Sequence, residues 1–340
     1  MKLRLIAFTE AGLALAASLR DKLAGQGHEA TVSACFGPEH ISLHSWTQHA
    51  FAQADGLLFI GAVGIAVRAV APFIRAKAED PAVVVVDEAA RFSVALLSGH
   101  LGGANELAAV AARLTGALPV VTTATDLRGV WAVDDWARRQ DCAVLNPERI
   151  KSVSGRLLAG GPVRVRSAFP IEGAPPRGVV WAADDDCDVL ISIERTRNDR
   201  ALRLAPRIAV LGVGCRKGTP SEALEEAWDA LLDRCCVVPQ AVKKVCTIDL
   251  KREEPGLLSF CRTHGLPLET YSARELQAVP GRFASSAFVK EVTGVDNVCE
   301  RSAALGSGGT LRVRKTAGNG VTMALALSPF TPSWTEEECK

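Results

Sequence analysis

The sequence predicts an α/β protein in which an N-terminal parallel-sheet domain, a small hairpin-rich central segment and a C-terminal α/β domain follow one another. The 340 residues allow two or three domains at the usual size of roughly 100–200 residues each. Hydrophobic residues make up 48% of the chain and charged residues 23%, a composition that favours a buried core over disorder. Short apolar runs alternate with longer amphipathic segments, stop near residue 141 and resume at residue 207, as expected for α/β domains.

The first 141 residues alternate predicted strands and helices. Apolar or β-branched runs predict strands at LRLIAF from residue 3, EATVSAC from 29, DGLLFIG from 55, AVVVV from 82 and PVVTT from 119. Helices are predicted over Gly12–Ala24, Gly102–Leu114 and Trp131–Arg139. Continuous apolar strands are typical of a parallel sheet that is covered on both faces, so residues 1–141 are predicted to form an α/β domain with buried parallel strands.

The character of the sequence changes in the central segment, residues 142–206. Short strand-like runs are separated there by Gly, Pro and Asp, a pattern that favours hairpins. At Arg207 the run RIAVLGVG restarts the alternation, and Thr219 with Glu222 predicts a capping box for a helix over Pro220–Asp233. Residues 207–330 are therefore predicted to form the second α/β domain, and residues 331–340 a frayed tail.

The charge balance and the cysteine pattern limit the kind of partner. Thirty-nine Lys and Arg oppose 38 Asp and Glu, and no block of like charge resembles a tail for nucleic acid or membrane. The ten cysteines include no C-x-x-C pair, so reduced thiols and no metal site are expected. The apolar stretches are too short or too interrupted for a bilayer span or a leader peptide. We expect a soluble, cytoplasmic protein that binds neither nucleic acid nor membrane.

The most informative stretch is Ser98-Gly99-His100-Leu101-Gly102-Gly103-Ala104-Asn105, which lies between a predicted strand and an Ala-rich helix. Glycines there allow a ligand to approach the backbone, and the N–H groups of a first helical turn favour anions. His100, with an ordinary pKa near ~6.5, suits general acid or base chemistry close to neutral pH. Alternatively, the glycines only permit tight packing and His100 caps the helix. The residues alone leave both interpretations open.

A second glycine-bearing turn, Gly61 to Arg68, follows the predicted strand at 55. Arg68 lies one helical turn beyond Gly64, so Gly61, Gly64 and Arg68 are predicted to face a crevice at the carboxyl ends of the strands. Open α/β sheets bind their ligands in that crevice. A solvent-exposed helix face is the commoner position of a single Arg.

Polar residues at two further strand ends are predicted to reach the same rim. Thr122, Thr123 and Asp126, together with Thr125, follow the strand at 119. Asp87 and Glu88 close the strand at 82 and supply the nearest candidate carboxylates, so they are predicted to orient His100 or to hold a water. Ordinary turn-forming residues would give the same pattern.

A third turn, Gly212 to Glu222, carries two adjacent cations among three glycines. Arg216 and Lys217 are predicted to bind carboxylate groups there. Cys215 is expected to be an inert thiol, since no His is nearer in sequence than His264.

Six motifs occur in the order found in one protein family: GAVGIAVRAVAP, LLSGHLGGANELA, PVVTTATD, LGVGCRKGT, IDLKREEPGLLSF and FVKEVTGVDNVCE. The chain resembles the CbiG proteins, the cobalt-precorrin-5A hydrolases of anaerobic cobalamin (vitamin B12) biosynthesis, from about residue 3 to residue 327. The resemblance covers the family's N-terminal and central parts and a C-terminal domain similar to CobE. The central part matches loosely, so no residue role is transferred there.

The resemblance implies an enzyme that opens the δ-lactone of cobalt-precorrin-5A and releases the extruded carbon as acetaldehyde, giving cobalt-precorrin-5B. Such a reaction needs a base for water and donors for an oxyanion, roles that suit His100 and the backbone around Gly102 and Gly103. Arg68, Arg216 and Lys217 would hold the substrate's carboxylates in a cleft between the two α/β domains.

The same resemblance implies which cofactor and partners to expect. Because the cobalt is carried by the substrate, no cofactor is expected. The expected partners are the tetrapyrrole substrate and neighbouring cobalamin-pathway enzymes that hand it over.

Two other classes of function stay open at this stage. A non-catalytic corrinoid-binding or delivery protein would need the carboxylate clamps but not His100. A nucleotide-binding α/β enzyme would need a phosphate-binding fingerprint, which the sequence lacks. The hydrolase ranks first, and the role of His100 discriminates it from the carrier.

Overall fold

A computed structural model describes residues 1–38, 40–76, 79–184, 186–196 and 200–335. Within these residues the strands form three sheets, and each sheet takes its strands from one of the three predicted segments. The chain divides into two compact units. One contains Met1–Arg138 and Ile150–Pro162, and the other contains Arg139–Arg149 and the chain from Val163 onward. The α/β class is confirmed, whereas the predicted domain boundaries at 141 and 206 stay predictions.

The N-terminal unit is built on a sheet with the strand order β2-β1-β3-β4-β5-β6. Its strands are β1 Lys2–Ala7, β2 Glu29–Ala34, β3 Gly56–Ile60, β4 Ala82–Val86, β5 Phe92–Leu97 and β6 Leu118–Val120. Its helices are α1 Glu10–Gly25, α2 Leu43–Gln53, α3 Val63–Val70, α4 Ala104–Thr115, α5 Ala124–Arg128, α6 Val133–Arg139 and α7 Ile150–Leu158. Every residue of β3 and β4 is buried, as expected for apolar strands covered on both faces.

One connection in this sheet differs from the prediction of parallel strands throughout. β1 to β4 pair in parallel, but β4 and β5 are antiparallel and are joined by a short turn in which the Asp87 amide donates to the Phe92 carbonyl. β5 then pairs in parallel with β6. The carboxyl ends of β5 and β6 therefore lie at the opposite edge of the sheet from those of β3 and β4.

The central sheet has the order β7-β11-β10-β8-β9. Its strands are β7 Cys142–Val144, β8 Val163–Ser167, β9 Val179–Trp181, β10 Val189–Ile191 and β11 Leu202–Pro206. Hairpins were predicted here, but β8–β9, β8–β10 and β10–β11 pair in parallel and only the β7–β11 pairing of this sheet is antiparallel. Turn-forming Gly, Pro and Asp mark the connections correctly, but they do not determine strand direction.

The C-terminal sheet has the order β14-β13-β12-β16-β15. Its strands are β12 Ala209–Cys215, β13 Val242–Ile248, β14 Leu268–Tyr271, β15 Thr310–Gly318 and β16 Val321–Leu327. Its helices are α8 Ser221–Cys235, α9 Pro255–Thr263, α10 Ala273–Ala278, α11 Ala287–Thr293 and α12 Val298–Ser307. α12 packs so closely on β12 that a Cβ at Gly212 would lie 1.9 Å from the Cys299 carbonyl oxygen.

Two local predictions for this half of the chain are wrong. The capping box is absent, because α8 begins at Ser221 after Pro220 without a side-chain cap and the Thr219 hydroxyl donates to the Arg216 carbonyl instead. Residues 331–335 are not frayed: Trp334 is buried, and its amide donates to the Glu172 carbonyl. Residues 336–340 of the predicted tail lie outside the described residues. No helix of the described chain has the length and apolar character needed to cross a membrane.

Candidate active site

His100 lies in the turn that connects β5 to α4 and is almost completely buried. Its Nδ1 atom is 3.1 Å from Asp134 Oδ1, and its Nε2 atom is 3.0 Å from Asp126 Oδ2. Asp134 comes from α6, where it is 1% exposed, and Asp126 comes from α5. Three separate segments therefore bring a carboxylate, an imidazole and a second carboxylate into one row.

Asp126 is the member of this row that faces solvent, since 42% of its side chain is exposed. Its Oδ2 atom accepts hydrogen bonds from His100 Nε2, from Asn105 Nδ2 at 2.9 Å and from the Thr123 hydroxyl. Asn105 Nδ2 also donates to the Thr123 hydroxyl at 2.8 Å. No residue of the described chain donates to Oδ1. One oxygen is thus held in place, and the other is available to a ligand or a water.

The two carboxylates favour the protonated form of His100. Burial by itself disfavours the imidazolium, but hydrogen bonds and charges from Asp134 and Asp126 outweigh burial and raise the pKa of His100. A protonated ring donates to both carboxylates, so neither ring nitrogen keeps a lone pair for another proton. In that protonated form His100 has no lone pair for a proton from water, whereas Asp126 keeps one oxygen without a donor from the described chain. The role of His100 as the base stays a prediction.

The backbone at His100 is supported from α6 as well. Arg138 Nε donates to the His100 carbonyl at 3.0 Å, and the same guanidinium pairs with Asp135 and with Glu106 of α4. Because Arg138 is anchored by two carboxylates, it ties the β5–α4 turn to the helix that carries Asp134.

The glycine-rich turn itself is closed by its own hydrogen bonds. The amides of Gly103, Ala104 and Asn105 donate to the carbonyls of His100, Ser98 and Gly99 at 2.9, 3.1 and 3.0 Å, respectively. The Gly103 amide is therefore not available as the predicted oxyanion donor. Gly102 is required by packing, because a Cβ there would lie 2.4 Å from the Ser98 Cβ. The contacts at Gly102 are those that the tight-packing interpretation expects, and the donor role of the Gly102 amide stays a prediction.

Ser98 carries an unusual conformation at this turn. Its φ of 58° places a non-glycine residue in the left-handed region, which costs roughly 1–2 kcal/mol. Its buried hydroxyl has no hydrogen-bond partner among the described residues. Strain of this kind persists where the surrounding structure enforces it, and it concentrates at functional sites.

The remaining residues predicted for this rim lie at the other edge of the sheet. Gly61, Gly64 and Arg68 follow β3, and Asp87 and Glu88 follow β4, whereas His100 follows the antiparallel β5. The Asp87 carboxylate accepts from the Phe92 amide and pairs with Arg91, and Glu88 is exposed in the turn. The prediction that Asp87 or Glu88 orients His100 is therefore wrong, because Asp134 and Asp126 contact it instead.

Arg68 and Thr122 are also not joined to the His100 cluster. Arg68 is exposed in the last turn of α3, and its guanidinium folds back toward Gly64. Thr122 is exposed just before Thr123, which does contact Asp126. The structure thus brings together His100, Asn105, Thr123 and Asp126 of the predicted set.

Arg216 and Lys217 lie in the C-terminal unit, on the turn after β12, and both are exposed. The turn is held by Glu254, whose carboxylate accepts from the Gly218 amide at 2.7 Å and pairs with Lys251 at 2.9 Å. Burial raises the pKa of the neighbouring Cys215 thiol, as expected for an inert cysteine. These cations line a cavity of that unit, described below.

Sequence reasoning missed Asp134 and Arg138. Val133, Trp136 and Ala137 form the buried face of α6, and Asp134 shares that face. A carboxylate at a core-facing position of a helix needs a buried partner. An Asp among the apolar residues of this helix is therefore the sequence signal that would have identified Asp134. Within the described ranges, no group of three or more His, Cys, Asp or Glu side chains is arranged to hold a metal ion.

Comparison with known proteins adds independent information. The family model for the cobalamin synthesis G N-terminal domain matches residues 45–126, and the model for the cobalamin synthesis G C-terminus matches residues 209–326. Cobalt-precorrin-5A hydrolase of Salmonella typhimurium is 34% identical over 296 residues, which cover 83% of this chain and 84% of that protein. The protein of the same name from Priestia megaterium is 30% identical over 301 residues, covering 82% and 80%.

The C-terminal half also matches a shorter protein. Protein CobE from Sinorhizobium sp is 33% identical over 120 residues, which cover 34% of this chain and 78% of that protein. The two family models and the two long matches agree on one assignment, and the resemblance seen in the sequence motifs is confirmed. The chain belongs to the CbiG family of cobalamin synthesis proteins.

Proposed function

We propose that the chain is a cobalt-precorrin-5A hydrolase that opens the δ-lactone of its substrate and releases acetaldehyde, giving cobalt-precorrin-5B. The relatives that match most of the chain carry this enzyme's name. The activity is assigned to this site because the exposed carboxylate of Asp126 is hydrogen-bonded to His100, which is itself buried and paired with Asp134. A positioned carboxylate with one accessible oxygen can accept the proton of an attacking water.

Lactone opening proceeds in this scheme by attack of water on the lactone carbonyl. Asp126 takes one proton from the water while the oxygen forms the new C–O bond. The lactone C–O bond then breaks, and the departing oxygen takes up the proton that Asp126 accepted, which restores the carboxylate. His100 and Asp134 do not touch the substrate in this scheme; they position Asp126 and supply the adjacent positive charge. For the release of acetaldehyde, the restored Asp126 carboxylate takes the proton of the new hydroxyl group as the C–C bond breaks. The electron pair of that bond stays on the ring carbon, which then takes up the proton.

The surroundings of Asp126 suit a large substrate with an apolar face. Leu127, the next residue in α5, is 73% exposed, the highest fraction among the large apolar side chains of the described residues. We assign it a contact with the macrocycle. The cobalt ion enters within the substrate, so the cluster needs no metal ligands of its own.

The decisive experiment is incubation of the purified protein with cobalt-precorrin-5A and a coupled assay for acetaldehyde. Wild type should release acetaldehyde, and Asp126→Asn should release it slower by a factor of roughly 10²–10⁴. Glu88→Gln is the matched control, since it removes a carboxylate from the other edge of the same sheet and should keep wild-type turnover. A wild-type protein that binds the chromophore but releases no acetaldehyde would favour a corrinoid carrier and would refute the hydrolase.

A further inference from the structure

The C-terminal unit contains a cavity of about 1180 Å³, which is larger than the roughly 300–1,000 Å³ typical of small-ligand pockets. It is bounded by the turn after β12, the turn after β13, α11, the start of α12 and the connection between β15 and β16. The size suits a ligand larger than a typical metabolite, and the lining residues indicate its chemistry.

One wall of the cavity is apolar and exposed. Leu250, Phe288 and Val292 line it, and they are 66%, 68% and 61% exposed, respectively. Across the described chain, five large apolar side chains exceed 60% exposure, and these are three of them. Exposed apolar side chains that converge on one concave site mark a ligand-binding surface.

Phe288 and Val292 are presented by α11, a helix with no buried residue of its own. The loop that carries α11 is anchored at its base. Asn297 Nδ2 donates to the Ala284 carbonyl at 2.8 Å, and the buried Glu300 carboxylate accepts from the Ala284 amide at 2.9 Å. The fold thus holds α11 at the cavity with Phe288 and Val292 exposed, while Val289 of the same helix packs against the buried cluster of Ile248 and Val298.

The rest of the lining carries positive charge. Arg216, Lys217, Lys251 and Lys315 line the cavity together with Glu253 and Glu254. Lys251 is already paired with Glu254. In the part of the chain that the structure describes, Arg216, Lys217 and Lys315 form no ion pair. An excess of available cations beside an apolar wall is complementary to an apolar ligand that carries several anionic groups.

We propose that this cavity is a binding site in its own right for a flat macrocycle bearing several carboxylates. The ring lies against Leu250, Phe288 and Val292, and its carboxylates are bound by Arg216, Lys217 and Lys315. That the natural ligand is a corrinoid rests on the proposed function. Binding here does not involve His100 or Asp126, so the site retains its ligand independently of the chemistry.

The test uses the full-length protein and coproporphyrin, a flat tetrapyrrole with four propionate groups, in equilibrium dialysis at several salt concentrations. The double variant Phe288→Ser/Val292→Ser should weaken binding by roughly tenfold or more, as expected for loss of two ligand anchors. Arg216→Ala/Lys217→Ala should weaken binding and reduce its dependence on salt. Folding is not at risk from these changes, because all four side chains are exposed.

Lys290→Ala is the matched control: it removes an exposed cation from α11 that is absent from the cavity lining, and it should bind coproporphyrin like wild type. The tetramethyl ester of coproporphyrin should bind more weakly than the acid. Equal binding of wild type and both double variants would overturn the proposal.

Failure of this proposal and failure of the hydrolase are distinguishable. If the protein releases no acetaldehyde but its coproporphyrin binding depends on Phe288 and Arg216, the hydrolase activity is refuted and the cavity assignment stands. If the protein releases acetaldehyde but both double variants bind coproporphyrin as tightly as wild type, the cavity assignment is refuted and the hydrolase stands. Asp126→Asn should bind the probe as tightly as wild type; a weaker affinity would contradict an independent site.

Discussion

His100 and Asp134 share a hydrogen bond of 3.1 Å between Nδ1 and Oδ1, and their side chains are only 5% and 1% exposed. A buried carboxylate on one nitrogen of an imidazole fixes the ring orientation and stabilises its charged form. The other nitrogen is thereby directed at Asp126, the exposed carboxylate. The row therefore runs from a buried acid through an imidazole with a raised pKa to an acid at the surface, and the inner pair orients the outer group.

Asp134→Asn should lower the pKa of His100, because it removes the buried negative charge while the burial of the imidazole remains. Proton NMR titration of the His100 ring measures this directly. The same variant should reduce the free energy of unfolding by about 3–5 kcal/mol, the usual cost of breaking a buried ion pair. Glu88→Gln serves as control and should change neither quantity. A His100 pKa equal to that of wild type would show that Asp134 does not stabilise the imidazolium.

His100→Ala should keep corrinoid affinity but slow acetaldehyde release by a factor of roughly 10²–10⁴, because Asp126 loses its positioning partner. A second variant, His100→Asn, keeps a hydrogen-bonding side chain in the site and guards against a folding defect, which thermal unfolding would detect. If His100 acts only through Asp126, His100→Asn should lower kcat and shift the pH profile while KM stays near the wild-type value. Unchanged turnover in both variants would remove His100 from the mechanism.

The raised pKa of His100 also predicts how stability depends on pH. The unfolded value is near ~6.5 and the folded value is higher, so the stabilisation is fully present below ~6.5 and is lost as pH rises through the folded pKa. The charged and titratable groups at the ring are Asp126 and Asp134, with Arg138 on the His100 carbonyl. The Tm difference between wild type and His100→Asn should therefore shrink as the pH rises from ~6.5 through the folded pKa of His100. A difference that is constant over this range would contradict a charged His100.

The α/β class and most of the strands were predictable, because buried runs such as AVVVV in β4 have few alternatives. The edge of the sheet at which each strand ends was not predicted correctly. Only five residues, Asp87–Arg91, separate β4 from β5, whereas a parallel crossover needs a dozen or more. That spacing was visible in the sequence and would have separated Asp87 and Glu88 from His100.

Other parts of the site depend on packing that no local pattern reveals. His100, Asn105, Thr123 and Asp126 follow predicted strands in the sequence, and hydrogen bonds join them in the structure. Their partner Asp134 reaches the cluster from α6 through tertiary contacts. The amides around Gly103 looked available from the sequence, but the turn uses them to close on itself. Hydrogen bonds between a turn and its own carbonyls depend on backbone angles that composition does not specify.

Leu127→Ser tests whether the substrate lies over α5. Leu127 is 73% exposed beside Asp126, so its removal should leave the free energy of unfolding within about 0.5 kcal/mol of wild type. A side chain that contacts the ring in both ground and transition states contributes uniform binding, so KM should rise severalfold while kcat stays within about twofold. Leu118→Ser is the matched control, because Leu118 is 61% exposed at the start of β6, the opposite end from Asp126. Leu118→Ser should leave KM unchanged. If KM rises equally in both variants, or does not rise in Leu127→Ser, the macrocycle does not lie over α5.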